Sequence, residues 1–146
     1  MSAMADVARQ TITINATPEH CFEVVIDFEH YPEWAKDVKE AIVRARDDAG
    51  RATEVEFRAS ALGRSTHYTL HYDYSEVPAR LSWKLVRGDI MRAIDGGYTF
   101  TTVATGTQVE YDLSIELVVP LPGFVKRRAE VRILNTVKEL KARAEA

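Results

Sequence analysis

Apolar and polar residues alternate along most of the chain, first over residues 7–15 and again in six segments between residues 38 and 118. In one such segment, Val55 and Phe57 lie on either side of Glu56. A period of two is typical of a β-strand that is buried on one face and wet on the other. Turn residues separate the segments, so the pattern predicts seven strands in a curved antiparallel sheet built mostly from hairpins.

Two short helices are predicted between the first strand and the second. Thr17 can cap the first helix, and Pro18 suits the first helical position. This helix is expected to end near Asp27. Pro32 can open a second helical turn, in which Trp34 supplies a large apolar side chain.

A long amphipathic helix is predicted at the end of the chain. The segment Val119–Gly123 contains two prolines, which remove backbone donors and end any preceding strand. Residues 124–146 contain no Pro or Gly, and their apolar residues form one stripe: Phe124, Val125, Ala129, Ile133, Leu134, Val137, Leu140 and Ala144. The order is therefore one strand, two short helices, six strands and a long helix. This order predicts an α+β fold in which the helix covers the dry face of the sheet.

One helix cannot fill the concave face of so large a sheet, because an α-helix is only ~10 Å across. The dry faces of the strands carry many aromatic residues. Either these side chains fill the remaining space or a cavity is left, and both outcomes fit the sequence. Gly96 and Gly97 are adjacent within one predicted strand, where they are expected to mark a bulge or a sharp bend.

Composition describes one soluble globular domain over residues 1–146, with residues 1–6 expected to be disordered. The chain is 46% hydrophobic and 28% charged. Its net charge of −3 argues against a nucleic acid partner, although the basic outer face of the last helix allows transient membrane contact. No segment has the ~20 apolar residues that span a bilayer, and no signal peptide pattern is present, so the predicted location is the cytoplasm.

No metal site and no cofactor are predicted. Cys21 is the only cysteine. His67 and His71 lie on a predicted strand, where four residues span roughly 13 Å, too far for two imidazoles to share one ion. Both fall on the face opposite Tyr68, so they are expected to face solvent. The chain contains no nucleophile elbow, phosphate-binding glycine loop or dinucleotide fingerprint.

Three stretches resemble the START-like helix-grip superfamily, which includes polyketide cyclase/dehydrase and lipid-transfer proteins and proteins of the birch-pollen-allergen type. The first is Ile12–Glu19, similar to the opening strand and helix entry of the family. The second, Asp27–Trp34, resembles its Tyr-Pro-x-Trp segment. The third comprises the turns at Asp95–Tyr98 and Gly106–Val109 before the last helix. The similarity covers nearly the whole chain and is greatest to small single-domain bacterial proteins.

The resemblance implies a hydrophobic cavity between the sheet and the long helix. The cavity residues are expected to come from the dry faces of the strands, the second short helix and the stripe of the last helix. They are Trp34, Phe57, Tyr68, Leu70, Tyr72, Trp83, Tyr98, Phe100, Tyr111, Leu113, Phe124, Ile133, Leu134 and Val137. The ligand is expected to enter near Pro120–Gly123 and the Leu62-Gly63 hairpin.

The first functional hypothesis is binding or transport of a hydrophobic small molecule, such as a lipid, polyketide, quinone or isoprenoid. The alternative is a polyketide cyclase/aromatase or dehydratase acting in the same cavity, for which Arg92, Asp95 and Tyr98 are weak catalytic candidates. A third hypothesis is a protein–protein role, which an exposed apolar patch would favour. The sequence leaves open the identity of the ligand and whether the protein is a monomer or a dimer.

Overall fold

The computed structural model describes residues 7–61, 64–118 and 123–146, with the side chains of residues 7, 61, 123–130 and 132–134 excepted. One strand is followed by two α-helices with a short 3₁₀ turn between them, then by six strands and a long helix. The elements are β1 Val7–Ile14, α1 Pro18–Ile26, the 3₁₀ turn Phe28–His30, α2 Tyr31–Trp34, β2 Val38–Arg46, β3 Ala52–Ala61, β4 Arg64–Asp73, β5 Arg80–Gly88, β6 Met91–Val103, β7 Gly106–Leu117 and α3 Gly123–Glu145.

All seven strands form one sheet in which every neighbouring pair is antiparallel. The strand order is β1-β7-β6-β5-β4-β3-β2, so consecutive strands from β2 to β7 are joined as hairpins and β1 completes the far edge. The predicted helix-grip architecture, a curved antiparallel sheet with a long C-terminal helix, is confirmed. The α+β class follows from the alternation of the strands, because each has one face that must be covered.

The start of α1 is determined by local chemistry, as predicted. The Thr17 hydroxyl accepts a hydrogen bond from the backbone N–H of His20 at 3.1 Å, and Pro18 occupies the first helical turn. The second predicted helix is also present as α2, with its proline in the first turn. Together, α1 and α2 lie between the edge strands in sequence and contact both the sheet and α3.

Of the bulge or sharp bend expected at Gly96 and Gly97, the bulge is wrong. Both glycines pair in regular register, Gly96 with Leu113 and Gly97 with Asp112, and the irregularity in this strand pair lies nearer its start, between Met91 and Ala93. The glycines serve a different purpose, which is to let neighbouring side chains approach the backbone closely. A Cβ atom on Gly96 would lie 2.8 Å from the indole of Trp83.

The C-terminal half of α3 is held against β1. Val137, Leu140 and Ala144 are buried, in agreement with the predicted apolar stripe. The Glu145 carboxylate accepts a hydrogen bond from the backbone N–H of Asn15 at 2.7 Å. The Lys141 ammonium donates to the carbonyl of Thr13 at 2.9 Å. Apolar burial and polar contacts therefore fix the same end of the helix.

Candidate ligand-binding site

A row of aromatic side chains crosses the inner face of the sheet on four adjacent strands, β4 to β7. Tyr72 lies directly opposite Trp83, and Tyr98 lies directly opposite Tyr111. The ring centroids of Trp83 lie 5.8 Å from Tyr72, 5.3 Å from Tyr98 and 5.9 Å from Tyr111. Edge and tilted contacts of this kind are favourable between aromatic rings. Trp83 is thus the centre of a group that we call the phenol patch, defined as Tyr72, Trp83, Tyr98 and Tyr111.

Further rings extend this surface towards β3 and the helices. Phe57 on β3 lies opposite Tyr68 on β4, with ring centroids 5.4 Å apart. Phe28 from the 3₁₀ turn packs on Tyr72 at 4.5 Å, and Tyr31 packs on Phe57 at 5.9 Å. The short helical segment therefore covers one end of the aromatic row.

The hydroxyls of five of the six tyrosines fall into two groups. Tyr31 donates to the carbonyl of Val25 at 2.5 Å, and Tyr74 donates to the carbonyl of Ala52 at 2.7 Å. These two phenols are fixed by the backbone. By contrast, the hydroxyls of Tyr72, Tyr98 and Tyr111 make no hydrogen bond with any described residue.

No side-chain nitrogen or oxygen in the described part of the chain is both fully buried and without a hydrogen-bond partner. The hydroxyls of Tyr72, Tyr98 and Tyr111, which have no described partner, are carried on rings that are buried. Buried polar groups are almost always hydrogen-bonded, to water where no protein group is available. These hydroxyls are thus positioned to bond water or a ligand.

Burial keeps the inner-face phenols protonated. Desolvation raises the pKa of Tyr68 to about 12 and raises the pKa values of Tyr72, Tyr98 and Tyr111 further above the usual value. Neighbouring phenols add to the effect, because the pKa of Tyr72 is raised by Tyr98 and Tyr111 as well as by Tyr68. At neutral pH each is a neutral group that can donate one O–H bond.

Among the described residues, the fully buried polar side chains are three threonines. Thr66 donates its hydroxyl hydrogen bond to Asp89, and Thr107 donates to the carbonyl of Ala16 at 2.8 Å. The third is Thr69. No charged side chain is buried in this part of the protein, so the described interior is neutral.

The structure brings most of the predicted cavity residues together. On the sheet and α2, the buried residues of the prediction are Trp34, Phe57, Leu70, Tyr72, Trp83, Tyr98, Phe100, Tyr111 and Leu113, and Tyr68 is half-buried beside them. Val137 is buried on α3. The side chains of Phe124, Ile133 and Leu134, and the predicted entrance residues Leu62, Gly63 and Pro120–Pro122, lie outside the described residues.

The two polar catalytic candidates lie on the outer side of β6. The Arg92 side chain is 62% exposed and pairs with Glu116 at 3.0 Å. The Asp95 side chain is 60% exposed, with its carboxylate 3.9 Å from the Lys84 ammonium. Only the third candidate, Tyr98, lies on the inner face, where it is 3% exposed. His67 and His71 are exposed, as predicted.

A separate cleft of about 740 Å³ opens between α1, α2 and the end of α3. Its lining combines charged and apolar groups, namely His20, Glu23, Val24, Ile26, Asp27, Trp34, Arg143 and Ala146. Two of the charged groups have ion-pair partners: Arg143 contacts Glu33 at 3.1 Å, and Asp27 contacts His30 at 2.7 Å. The Asp27 carboxylate raises the pKa of His30. Trp34 is the one predicted site residue in this lining.

Sequence reasoning missed two groups that shape the inner face. Phe28 and Tyr31 join the sheet aromatics through space, which spacing along the chain does not reveal. Thr66 is in phase with Tyr68, two residues away, and that phase was the available signal that it points inwards. Its partner Asp89 follows Gly88 at the hairpin and could not be paired with it from sequence alone.

No three His, Cys, Asp or Glu side chains in the described ranges are arranged to hold a metal ion. Within the same ranges, no helix is long and apolar enough to cross a membrane.

The sequence matches the protein family described as "Polyketide cyclase / dehydrase and lipid transport" over residues 5–145. A search of the curated proteins finds no match. Among solved structures, the chain is similar to a START superfamily protein from Mycobacterium smegmatis, with 25% identity and a TM-score of 0.87. That alignment covers 95% of this chain and 97% of the other.

Two further structures share the fold at lower identity. One is a protein from Thermus thermophilus, with 23% identity, a TM-score of 0.82 and coverage of 95% of this chain and 97% of the other. The other is the Zhui aromatase/cyclase from Streptomyces sp. R1128, with 14% identity, a TM-score of 0.77 and coverage of 96% and 93%. At these identities the likeness shows the fold alone.

Proposed function

The chain belongs to the polyketide cyclase/dehydrase and lipid transport family, and we propose that it binds a hydrophobic small molecule against the inner face of its sheet, beneath α3. The bound molecule would lie on the aromatic row that includes the phenol patch. The family and its fold support a hydrophobic ligand as the class of partner. The site within the chain and the role of binding or transport are the proposal.

The observation that carries this proposal is the set of unpaired hydroxyls on otherwise buried rings. A tyrosine that packs only as core can bond its hydroxyl to the protein, as Tyr74 does by donating to the carbonyl of Ala52. Tyr72, Tyr98 and Tyr111 differ, because their rings are buried and their hydroxyls meet no described partner. A ligand would bury apolar area on the rings, at roughly 25 cal/mol per Å² before association costs, and would meet the hydroxyls.

Cyclisation of a polyketide in the same space is the second candidate. The specific observation that favours it is the position of Tyr98, a sequence-predicted candidate that lies inside. Its raised pKa makes this phenol a hydrogen-bond donor to a carbonyl rather than a base at neutral pH. The outer positions of Arg92 and Asp95 do not supply a partner base, so the described geometry supports binding more directly than catalysis.

Native mass spectrometry tests the proposal directly. The protein is incubated with a library of neutral lipids, isoprenoids, quinones and aromatic polyketides, and the expected result is a 1:1 complex with at least one class. Failure to retain any member of the library would contradict binding. The measurement needs no assumption about the natural ligand.

Three tryptophan substitutions locate the bound molecule. Leu70→Trp adds bulk on the inner face, Val86→Trp adds the same bulk on an exposed position, and His20→Trp adds it to the cleft. Only Leu70→Trp is expected to abolish the complex, while circular dichroism confirms that all three variants fold. Loss of the complex in His20→Trp alone would place binding in the cleft and contradict the proposal.

A further inference from the structure

We propose that the ligand of this inner face is an uncharged molecule carrying carbonyl or similar acceptor oxygens, and that Tyr72, Tyr98 and Tyr111 select it by donating hydrogen bonds. This inference rests on the proposed function, since it names the chemistry of the molecule bound at that site. It adds a rule of selection that apolar burial alone does not provide.

The first support is that tyrosines from three strands lie around the Trp83 indole. Tyr72 comes from β4, Tyr98 from β6 and Tyr111 from β7, and each ring lies within 6 Å of the indole of Trp83. Tyr98 and Tyr111 also meet edge to face, with centroids 5.0 Å apart. Their hydroxyls can therefore reach different oxygens of one small molecule.

The second support is the number of unused donors. Each phenol has one O–H, and the indole N–H of Trp83 is a donor only. None of these four groups forms a hydrogen bond with a described residue. A pure hydrocarbon would displace water from these donors without accepting a hydrogen bond from them. Carbonyl oxygens of a ligand would instead replace the hydrogen bonds that the donors had made with water.

The third support is that no charged side chain is buried among the described residues. The polar side chains that are fully buried in the described ranges are threonines. A carboxylate moved into such surroundings without a cationic partner is strongly disfavoured. The phenols themselves stay neutral, because burial raises their pKa values. Tyr68 is left out of the selecting group, because it is only half-buried and its ring stacks on Phe57.

Three probes of one shape test this rule. Fluorene has no oxygen, 9-fluorenone adds one carbonyl, and 9-fluorenone-2-carboxylate adds an anionic group. Their dissociation constants are measured by competition with the neutral fluorescent probe N-phenyl-1-naphthylamine. We expect 9-fluorenone to bind roughly three- to tenfold more tightly than fluorene, the worth of one net hydrogen bond. The carboxylate is expected to bind at least about 100-fold more weakly than 9-fluorenone.

Tyrosine-to-phenylalanine variants assign the effect to the hydroxyls. Y72F, Y98F and Y111F keep the rings and remove single donors, and the triple variant removes all three. The triple variant is expected to bind fluorene and 9-fluorenone equally. Y74F is the matched control, because the Tyr74 hydroxyl that it removes is already bonded to Ala52 and lies outside the phenol patch. It should keep the preference for 9-fluorenone.

The outcomes separate this inference from the proposed function. Equal binding of fluorene and 9-fluorenone by the natural chain would overturn the inference and leave hydrophobic binding intact. Tight binding of the carboxylate would also overturn it. If neither neutral probe binds while a library member does, the inference fails and the proposed function stands; if no library member binds either, both fail. A preference that survives in the triple variant would overturn the assignment to these three tyrosines.

Discussion

At the scale of single residues, the position of Trp83 depends on the glycine opposite it. Gly96 pairs with Trp83 across β5 and β6, and the indole lies against the space that a side chain would fill. On the outer face, the guanidinium of Arg80 lies where a side chain on Gly97 would be. The same guanidinium pairs with Asp112 at 2.9 Å. Two adjacent glycines thus serve opposite faces of one strand.

Comparison of Gly96→Ala with Gly97→Ala tests this account. A Cβ on Gly96 would lie 2.8 Å from both the Trp83 ring and the backbone oxygen of Asp112, and neither can move easily. We expect Gly96→Ala to lower the free energy of unfolding by about 2–3 kcal/mol, as overpacking does. Gly97→Ala should cost less, about 1 kcal/mol, because it displaces only the flexible end of Arg80. Urea unfolding measures both values.

The test depends on which of the two glycine variants loses more stability. A larger loss of stability in Gly97→Ala than in Gly96→Ala would contradict the claim that Gly96 makes room for a fixed ring. The variant Arg80→Ala provides a control, since it removes the outer contact and should make Gly97→Ala nearly neutral. The effect of Gly96→Ala should be the same in that background.

Much at this scale could be predicted from the sequence. The period of two assigned Tyr72, Tyr98 and Tyr111 to the inner face correctly, because successive side chains of a strand point to opposite faces of the sheet. The role of the glycine pair could not be predicted, because it depends on side chains of a neighbouring strand, Trp83 and Arg80. A glycine that makes room for Trp83 and a glycine that forms a bulge look the same along one strand.

At the scale of elements, α3 is fixed at its C-terminal end by apolar and polar contacts together. Leu140 is fully buried against the core, and its neighbour Lys141 donates to the backbone of β1. The carboxylate of Glu139 accepts a hydrogen bond from the backbone N–H of Lys36 at 3.2 Å. Apolar burial contributes most of the stability, because exposed ion pairs and hydrogen bonds of this kind are each worth ~1 kcal/mol or less.

Two substitutions in α3 measure that contribution. Leu140→Ala should lower the free energy of unfolding by about 2–5 kcal/mol, because it leaves a cavity between the helix and the core. Val131→Ala is the matched control in the same helix, since Val131 is 55% exposed, and it should change stability by less than about 0.5 kcal/mol. Similar losses in the two variants, measured by urea unfolding, would show that α3 is not packed as described.

Element boundaries are clearest in the sequence where turn residues follow a strand. β2 ends at Arg46, directly before the turn residues Asp47–Gly50. β4 begins at Arg64, although the residues before His67 are polar or small and give no apolar signal. Pairing with β3 extends the strand there, and a partner strand is invisible in the pattern of one segment.

At the scale of the whole molecule, the hairpin order and the helix-grip architecture followed from alternation, turn residues and one long amphipathic run. The cleft between α1, α2 and the end of α3 did not follow, because it depends on how three helices meet. In the described part of the chain, the inner face and the cleft differ in character. The described side chains of the inner face are aromatic and include no buried charge, whereas charged groups line the cleft, and of these Asp27 and Arg143 have ion-pair partners.

The central claim is that a small molecule binds on the inner aromatic face. Intermolecular nuclear Overhauser effects between bound 9-fluorenone and the assigned aromatic protons of the protein test it most directly. The account predicts cross-peaks to Trp83, Tyr98 and Tyr111 in the phenol patch. Cross-peaks confined to His20, Val24 and other residues of the cleft would contradict it.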